Sequence, residues 1–400
     1  MYTEPHQFEP LLPLEGRMEL LLAKAHDLSR TATTLAGTPV PPELHRLLRS
    51  MNSYYSNRIE GQHTQPHEID QALRKDFSKD KQLAAKQRLA VAHIEAEEAL
   101  ETRYRGDEGA KALYSTEAVQ AIHHELFSRL PAKDLVTPEG EPITPGQLRA
   151  REVKVGDHVA PAFASVPAFL TRWGRFYANV RRGEAALVAI AAAHQRLGWV
   201  HPFVDGNGRV MRLHTHTLLS ALGYTGGLWS PLRGFARSSE RYYALLADAD
   251  STRRGDLDGR GNLSEQALTA WIDYVLNTCL DQVVFMTGML DFGSMKARIE
   301  ACLVFEATVE KSGVRQESLR GLHYLFLSGE EMTRGDFKSM LGMSDRGATD
   351  ALGALVKRGL LKSDSPQGKV RFGLPQHALR FLFPRLWPEA EADAASAQTH

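Results

Sequence analysis

The sequence predicts a protein that is α-helical almost throughout, with one small β-hairpin and a winged helix-turn-helix near its C-terminal end. Three observations carry this. Apolar residues recur at helical spacing through most of the chain. A Pro-punctuated stretch, 131–167, holds a short alternating segment of the strand type. Residues 312–375 then read as three short helices followed by a strand, the order of a winged helix-turn-helix.

Taken in order, Leu20, Leu21, Leu22, Ala25 and Leu28 keep a 3.6-residue rhythm until Pro39, Pro41 and Pro42 break it. Leu44, Leu47, Leu48 and Met51 open a second amphipathic run, and 81–104 is rich in the strong helix formers Ala, Leu, Glu and Lys. Arg151 to Val155 alternates and is followed by Gly156, a strand or hairpin signal. Ala185 to Ala193 is apolar on every face, which marks a buried central helix. Further on, a helix ends near Ser328 and a second runs from Thr333 to Leu341. A third is capped by Ser344 and stops before Gly359, and Lys369 to Phe372 reads as a strand.

A chain of 400 residues suits two or three domains. The divisions expected are an N-terminal helical region (1–110), a catalytic core (111–300), the winged helix (301–385) and a flexible tail (386–400). Lys+Arg and Asp+Glu both number 48, so whole-chain charge implies neither a nucleic-acid nor an anionic-membrane partner. Cys279 and Cys302 have no Cys or His at metal-ligand spacing, which argues against a disulfide framework or a structural zinc. No signal-type start and no run of about 18 apolar residues is present, so a cytoplasmic location without a membrane partner is expected.

The segment that carries chemistry is His201-Pro202-Phe203-Val204-Asp205-Gly206-Asn207-Gly208-Arg209-Val210-Met211-Arg212. Gly206 and Gly208 let the backbone turn with positive φ and approach a ligand closely. A helix is expected from Arg209 to Leu222, so the turn lies at a helix N-terminus, whose free N–H groups and dipole favour a phosphate. Arg209 and Arg212, three apart, share one face and add two guanidinium groups to that anion site. Asp205 is the loop's one carboxylate, suited to Mg²⁺ that keeps most of its waters, and His201 is the nearby group whose basicity suits taking a proton. Singly each feature is commonplace. In this order they describe phosphoryl chemistry: cradled phosphates, one metal and a base for an attacking hydroxyl.

This segment resembles the signature of the Fic family, HPFx(D/E)GN(G/K)RxxR, at every specified position. The resemblance extends over roughly residues 10–300 and implies an all-α Fic fold with a hairpin flap. It also implies AMPylation, in which a Ser, Thr or Tyr hydroxyl of a target protein attacks the α-phosphate of ATP and pyrophosphate leaves. It assigns His201 as the base, Asp205 to Mg²⁺, Gly206, Asn207, Gly208 and Arg209 to the α- and β-phosphates, and Arg212 to the γ-phosphate. Val153, Lys154, Val155 and Gly156 match the flap, where a target segment pairs with the hairpin edge. Tyr242 and Tyr243 match the tyrosine pair that lines the nucleotide's base pocket. Seven residues on, where some relatives have a nucleotide-contacting Asn, this chain has Asp250.

Ser56 to Gly61 resembles the family's inhibitory pattern (S/T)xxxE(G/N), with Ser56, Glu60 and Gly61 at its specified positions. Glu60 is thereby expected to hold Arg212 by a carboxylate–guanidinium pair and to block the productive pose of ATP. The expected function is an adenylyltransferase restrained by Glu60. Alternatives are removal of AMP or transfer of another nucleotide at the same site, or a nucleotide-sensing DNA-binding regulator. Asp345 and Asp350 beside Arg346 make a poor major-groove surface, so protein contact is favoured over DNA for the winged helix. Relatives of this kind often dimerise, which leaves a homodimer open.

Overall fold

A computed structural model of the chain describes residues 2–180 and 183–388; of the expected tail, residues 389–400 lie outside the described residues. The architecture is mostly helical with a few short strands. The chain packs as two compact units that alternate along the sequence. One holds the chain up to Ala36, Asn52–Thr64 and Glu68–Val284; the other holds Gly37–Met51, Gln65–His67 and the chain from Phe285 onward.

The first unit is built from α1 (Glu15–Ala36), the second part of α2 (Pro42–Ile59), most of α3 (Pro66–Leu73), α4 (Lys81–Arg103), α5 (Gly106–Ala112) and α6 (Thr116–Phe127). A hairpin of β1 (Lys154–Val155) and β2 (His158–Val159) follows, then α7 (Val166–Tyr177), α8 (Glu184–Val200), α9 (Asn207–Ala221), α10 (Leu232–Arg237), α11 (Ser239–Asp248) and most of α12 (Glu265–Met289). The Ala-rich helix is central, as its composition predicts: every residue of α8 from Leu187 to Leu197 is buried. Its small side chains let α1, α7 and α9 close around it. Trp173 of α7 and Trp271 of α12 donate their indole N–H groups to the Ala193 and Ala191 carbonyls, at 3.0 and 2.7 Å. At Gly198 a Cβ would fall 2.6 Å from Met211 Sδ, so α8 and α9 approach where α8 has no side chain.

The expected strand at 151–155 is shorter than its alternation suggests. Only Lys154 and Val155 pair, with Val159 and His158, and ahead of them the Arg151 carbonyl accepts the Arg149 side chain.

In the second unit, α13 (Phe292–Thr308), α14 (Leu319–Ser328), α15 (Arg334–Met340) and α16 (Asp345–Lys357) precede a hairpin of β3 (Leu361–Lys362) and β4 (Arg371–Phe372), then α17 (Gln376–Leu382). Ser344 caps α16 through a bond from the Gly347 N–H, and Gly359 follows at φ 73°, both as the sequence predicts. Buried Glu306 joins α13 to Arg358 at 2.6 Å.

Three histidines of the first unit lie fully inside the packing. Burial holds His93 and His194 down to about 3 and His214 to about 4. The unfolded chain binds protons at these sites from about pH 6.5 downward while the fold does not, so stability falls with falling pH. Each such group costs the fold about 2 kcal/mol between neutral pH and pH 5. Urea melts at pH 7.5 and 5.0 should show a markedly lower midpoint at pH 5.0; an equal or higher midpoint would contradict this.

Candidate active site

The loop between α8 and α9 turns twice through left-handed backbone. His201 ends α8 at φ 49°, and Gly206 precedes α9 at φ 78°. A Cβ at Gly206 would fall 2.4 Å from the Phe127 ring, so glycine is required there both by conformation and by space. Asn207 closes the turn: its Oδ1 accepts the Phe203 N–H and its Nδ2 donates to the Phe203 carbonyl, both at 2.9 Å. Phe203 in turn is stacked on His123, ring centroids 4.0 Å apart, with Phe127 against the ring at 4.5 Å. The loop is therefore clamped on aromatic rings, and the first N–H groups of α9 have no preceding carbonyl in the helix to bond. Asp205, half-buried, accepts the Gly206 N–H at 2.5 Å.

Both motif arginines are held by the end of α2. Arg212 is fully buried. Its Nη2 donates to Glu60 Oε1 at 2.6 Å and to the Ser56 carbonyl at 3.0 Å, and its Nε donates to Ser56 Oγ at 3.1 Å. Arg209 Nε donates to Asn57 Oδ1 at 3.2 Å. The carboxylate lies over the bare Cα of Gly208, where a Cβ would meet Glu60 Oε1 at 2.3 Å. Burial raises the Glu60 carboxyl, but Arg212 and Arg209 outweigh it, so it titrates below the usual carboxylate range and stays charged at neutral pH. Gly61 explains the last position of the pattern. At φ 70° it ends the helix just after Glu60, and the Gln62 N–H closes back on the Asn57 carbonyl at 2.9 Å.

His201 sits between this anion site and the hairpin. Burial, then His158 and Arg149, push its ring down to about 4, against the opposing pull of a hydrogen bond with the Gly198 backbone and of Glu60. The imidazole is thus neutral at pH 7 and able to accept a proton. The hairpin turns at Gly156, φ 58°, and exposes Val155 and Val159. Its inward side chain, His158, has Nε2 2.8 Å from the Trp199 carbonyl and Nδ1 3.9 Å from Asp250. Asp250 accepts from Gln195 Nε2 at 2.7 Å, and burial pushes its carboxyl up to about 6.

His201, Asp205, Gly206, Asn207, Gly208, Arg209 and Arg212 come together with Ser56, Glu60 and Gly61, although α2 and α9 are far apart in sequence. Packing adds detail at three of the expected positions. The Asn207 side chain is committed to Phe203, so what it offers an anion is backbone N–H. Tyr242 is fully buried, its hydroxyl 3.0 Å from His194 Nε2, and so stands behind Arg212 and not on an open wall. Tyr243 is the exposed member, and it donates to the Ile59 carbonyl at 3.0 Å, at the end of α2. Sequence reasoning gave no individual role to Asn57 or to His158, which fall within the matched segments, and did not single out His123 or Arg149, because single polar residues carry no spacing signal. Behind α9, His216 Nε2 lies 2.9 Å from Glu101 and 3.5 Å from Glu97, a polar junction between α9 and α4.

With this geometry in hand, the similarities are specific. Residues 113–219 match the model of the Fic/DOC family. A protein named protein adenylyltransferase Fic from Drosophila ananassae is 39% identical over 85 residues, 21% of this chain and 17% of that protein. Its namesake from Drosophila mojavensis is 35% identical over 107 residues, 26% and 21% of the two chains. The matches thus span about a fifth of these relatives' length. A crystal structure of a Fic family protein from Desulfovibrio desulfuricans G20 shares the fold, with a TM-score of 0.53 at 19% identity over 92% of this chain and 99% of that one. The stretch that matches the Fic/DOC family model includes the turn from His201 to Arg212.

Proposed function

We propose that this chain transfers AMP from ATP to a Ser, Thr or Tyr hydroxyl of a target protein, and that Glu60 restrains it. The Glu60–Arg212 pair over Gly208 carries the proposal. A carboxylate drawn into a pocket made by a helix N-terminus and two buried arginines marks that pocket as one for anions. Neutral His201 takes the proton of the incoming hydroxyl. The hydroxyl oxygen forms a bond to the α-phosphorus as the bond to the β-phosphate oxygen breaks, and pyrophosphate departs. Backbone N–H groups at Gly206, Asn207 and Gly208, with Arg209, hold the α- and β-phosphates, and Arg212 holds the γ-phosphate once Glu60 withdraws. Asp205 is a hard, half-exposed oxygen donor at the mouth of the turn, so it fits Mg²⁺, which would offset phosphate charge there. The target segment lies along the open edge of the β1–β2 hairpin, within reach of His201.

One observation favours a second reading. Glu60 is close enough to His201 for its charge to oppose the fall in the ring's pKa. A carboxylate and an imidazole so placed could activate water to remove AMP from a modified hydroxyl. We read α14 to α16 with the β3–β4 hairpin as a winged helix, used for protein contact in preference to DNA because Asp345 and Asp350 are exposed on α16.

ATP labelled at the α-phosphate, with Mg²⁺, distinguishes these readings. Label on protein should rise at least about tenfold from wild type to Glu60→Gly, the equivalent of ~1.4 kcal/mol. Adding His201→Ala should lower it by roughly 100- to 10,000-fold. If no variant labels itself or a lysate while still binding ATP, AMP transfer is the wrong chemistry, and release of AMP from a modified protein becomes the leading reading.

The position of His201 also sets a pH profile. Because its ring is held at about 4, the base form persists well below the usual histidine range. In the Glu60→Gly variant, kcat/KM should change less than about twofold between pH 7.5 and 5.5, whereas an unperturbed histidine would cost about tenfold. A fall centred near pH 6.5 would contradict the assignment.

A further inference from the structure

The Arg149 guanidinium is fully shielded from solvent, yet among the described residues no carboxylate lies within hydrogen-bond distance of it; its ion-pair partner, half-exposed Glu152, is 3.8 Å away. A buried cation in that position needs acceptors, and Arg149 finds them all on the backbone. Nε donates to the His201 carbonyl at 2.8 Å and Nη1 to the Arg151 carbonyl at 2.8 Å. Nη2 donates to the Pro161 carbonyl at 2.6 Å and reaches the Val200 carbonyl at 3.5 Å. Its own N–H donates to the Pro202 carbonyl at 2.9 Å.

These acceptors fall into two groups. Arg151 and Pro161 flank the β1–β2 hairpin, one where the chain enters and one where it leaves. The hairpin has two residue pairs, too few to hold their own direction in water, so its base decides where it points. Val200 and His201 close α8, where the last carbonyls lack partners within the helix and favour a cation. His201 there adopts the left-handed backbone, which a side-chain-bearing residue keeps only when its surroundings enforce it. A planar fork with five N–H groups can serve both groups at once; an ammonium can serve one direction at a time.

We propose that Arg149 is a positioning residue for the transfer reaction: its guanidinium staples the base of the flap hairpin to the loop that carries His201, and so sets the target hydroxyl against the imidazole. The role rests on the AMP-transfer reading. Nothing in it touches the phosphates, which the 206–212 segment holds. Arg149 also adds to the field that keeps the His201 ring neutral, together with His158 and against Glu60.

The test compares Arg149→Lys and Arg149→Gln in the full-length Glu60→Gly chain, with self-labelling from α-labelled ATP and hydrogen exchange read side by side. Misplacing the acceptor by about 1 Å costs on the order of 100-fold in rate. Both substitutions should therefore lower the maximal labelling rate by that order while the KM for ATP stays within about threefold. Amides of 152–160 should exchange faster, and those of α9 should not. Labelling at the parent rate, or unchanged exchange in the hairpin, overturns the proposal. So does loss of ATP binding together with α9 protection, which would make Arg149 a general stabiliser. If the Glu60→Gly parent itself fails to label, the AMP-transfer reading falls, and hairpin exchange alone then decides whether the staple exists.

Discussion

A guanidinium buried in a helical core has to be given acceptors, and in this protein that requirement organises the site. Arg212 sits inside α9 with no exposed surface, and its partners come from the end of α2: Ser56 through side chain and carbonyl, and Glu60, just past the helix, through its carboxylate. Asn57 does the same for Arg209. Two cations at a helix N-terminus create a strongly anion-attracting pocket, and the carboxylate that fills it also keeps its charge because of them. On the proposed function, restraint and substrate binding draw on the same field. An anion with more charge and more acceptor oxygens than one carboxylate is the natural competitor for the place.

Around this contact the loop is closely packed. The turn from His201 to Asn207 is closed on itself by the Asn207 amide and pinned on the rings of His123, Phe127 and Phe203. The Ala-rich α8 supplies the wall from which His201 emerges, and Arg149 fixes both the emergence and the hairpin beside it. The carboxylate comes from the end of α2, where Ser56 and Asn57 are buried. Glu60 lies beyond the last helical residue, before a glycine that any further helix would have to displace, and is tied down by Tyr243 through the Ile59 carbonyl. On the proposed function, Glu60 is the group that exchanges between holding Arg212 and releasing it to a phosphate.

Much of this was readable in the sequence, for identifiable reasons. Alternation and helical rhythm report burial, so α1, α4 and α8 lie where their apolar spacing puts them. The 201–212 motif is legible because its glycines, arginines and histidine are contiguous, and Ser56 to Gly61 because a helix end presents Ser and Glu at i and i+4. Single residues that act across the fold were not legible. Asn57, Arg149 and His158 are ordinary polar letters until the backbone carbonyls and side chains they serve are brought next to them. For Tyr242 the resemblance implies a place in the base pocket, while what the packing adds is its enclosure against His194. The interleaving of the two units was also invisible, because α2 reads as one continuous amphipathic helix although its two parts pack in different units.

The central claim is that Glu60 occupies Arg212 at the expense of the outermost phosphate. The most direct measurement is the equilibrium affinity of ATP and of ADP for wild type and for Glu60→Gly, with Mg²⁺ present. Wild type should bind the two nucleotides about equally. Glu60→Gly should gain affinity for ATP by roughly tenfold or more, as expected for a recovered charge-assisted contact, with ADP nearly unchanged. Equal gains for both nucleotides, or a wild type that already prefers ATP strongly, would show that the carboxylate and the third phosphate do not compete for one arginine.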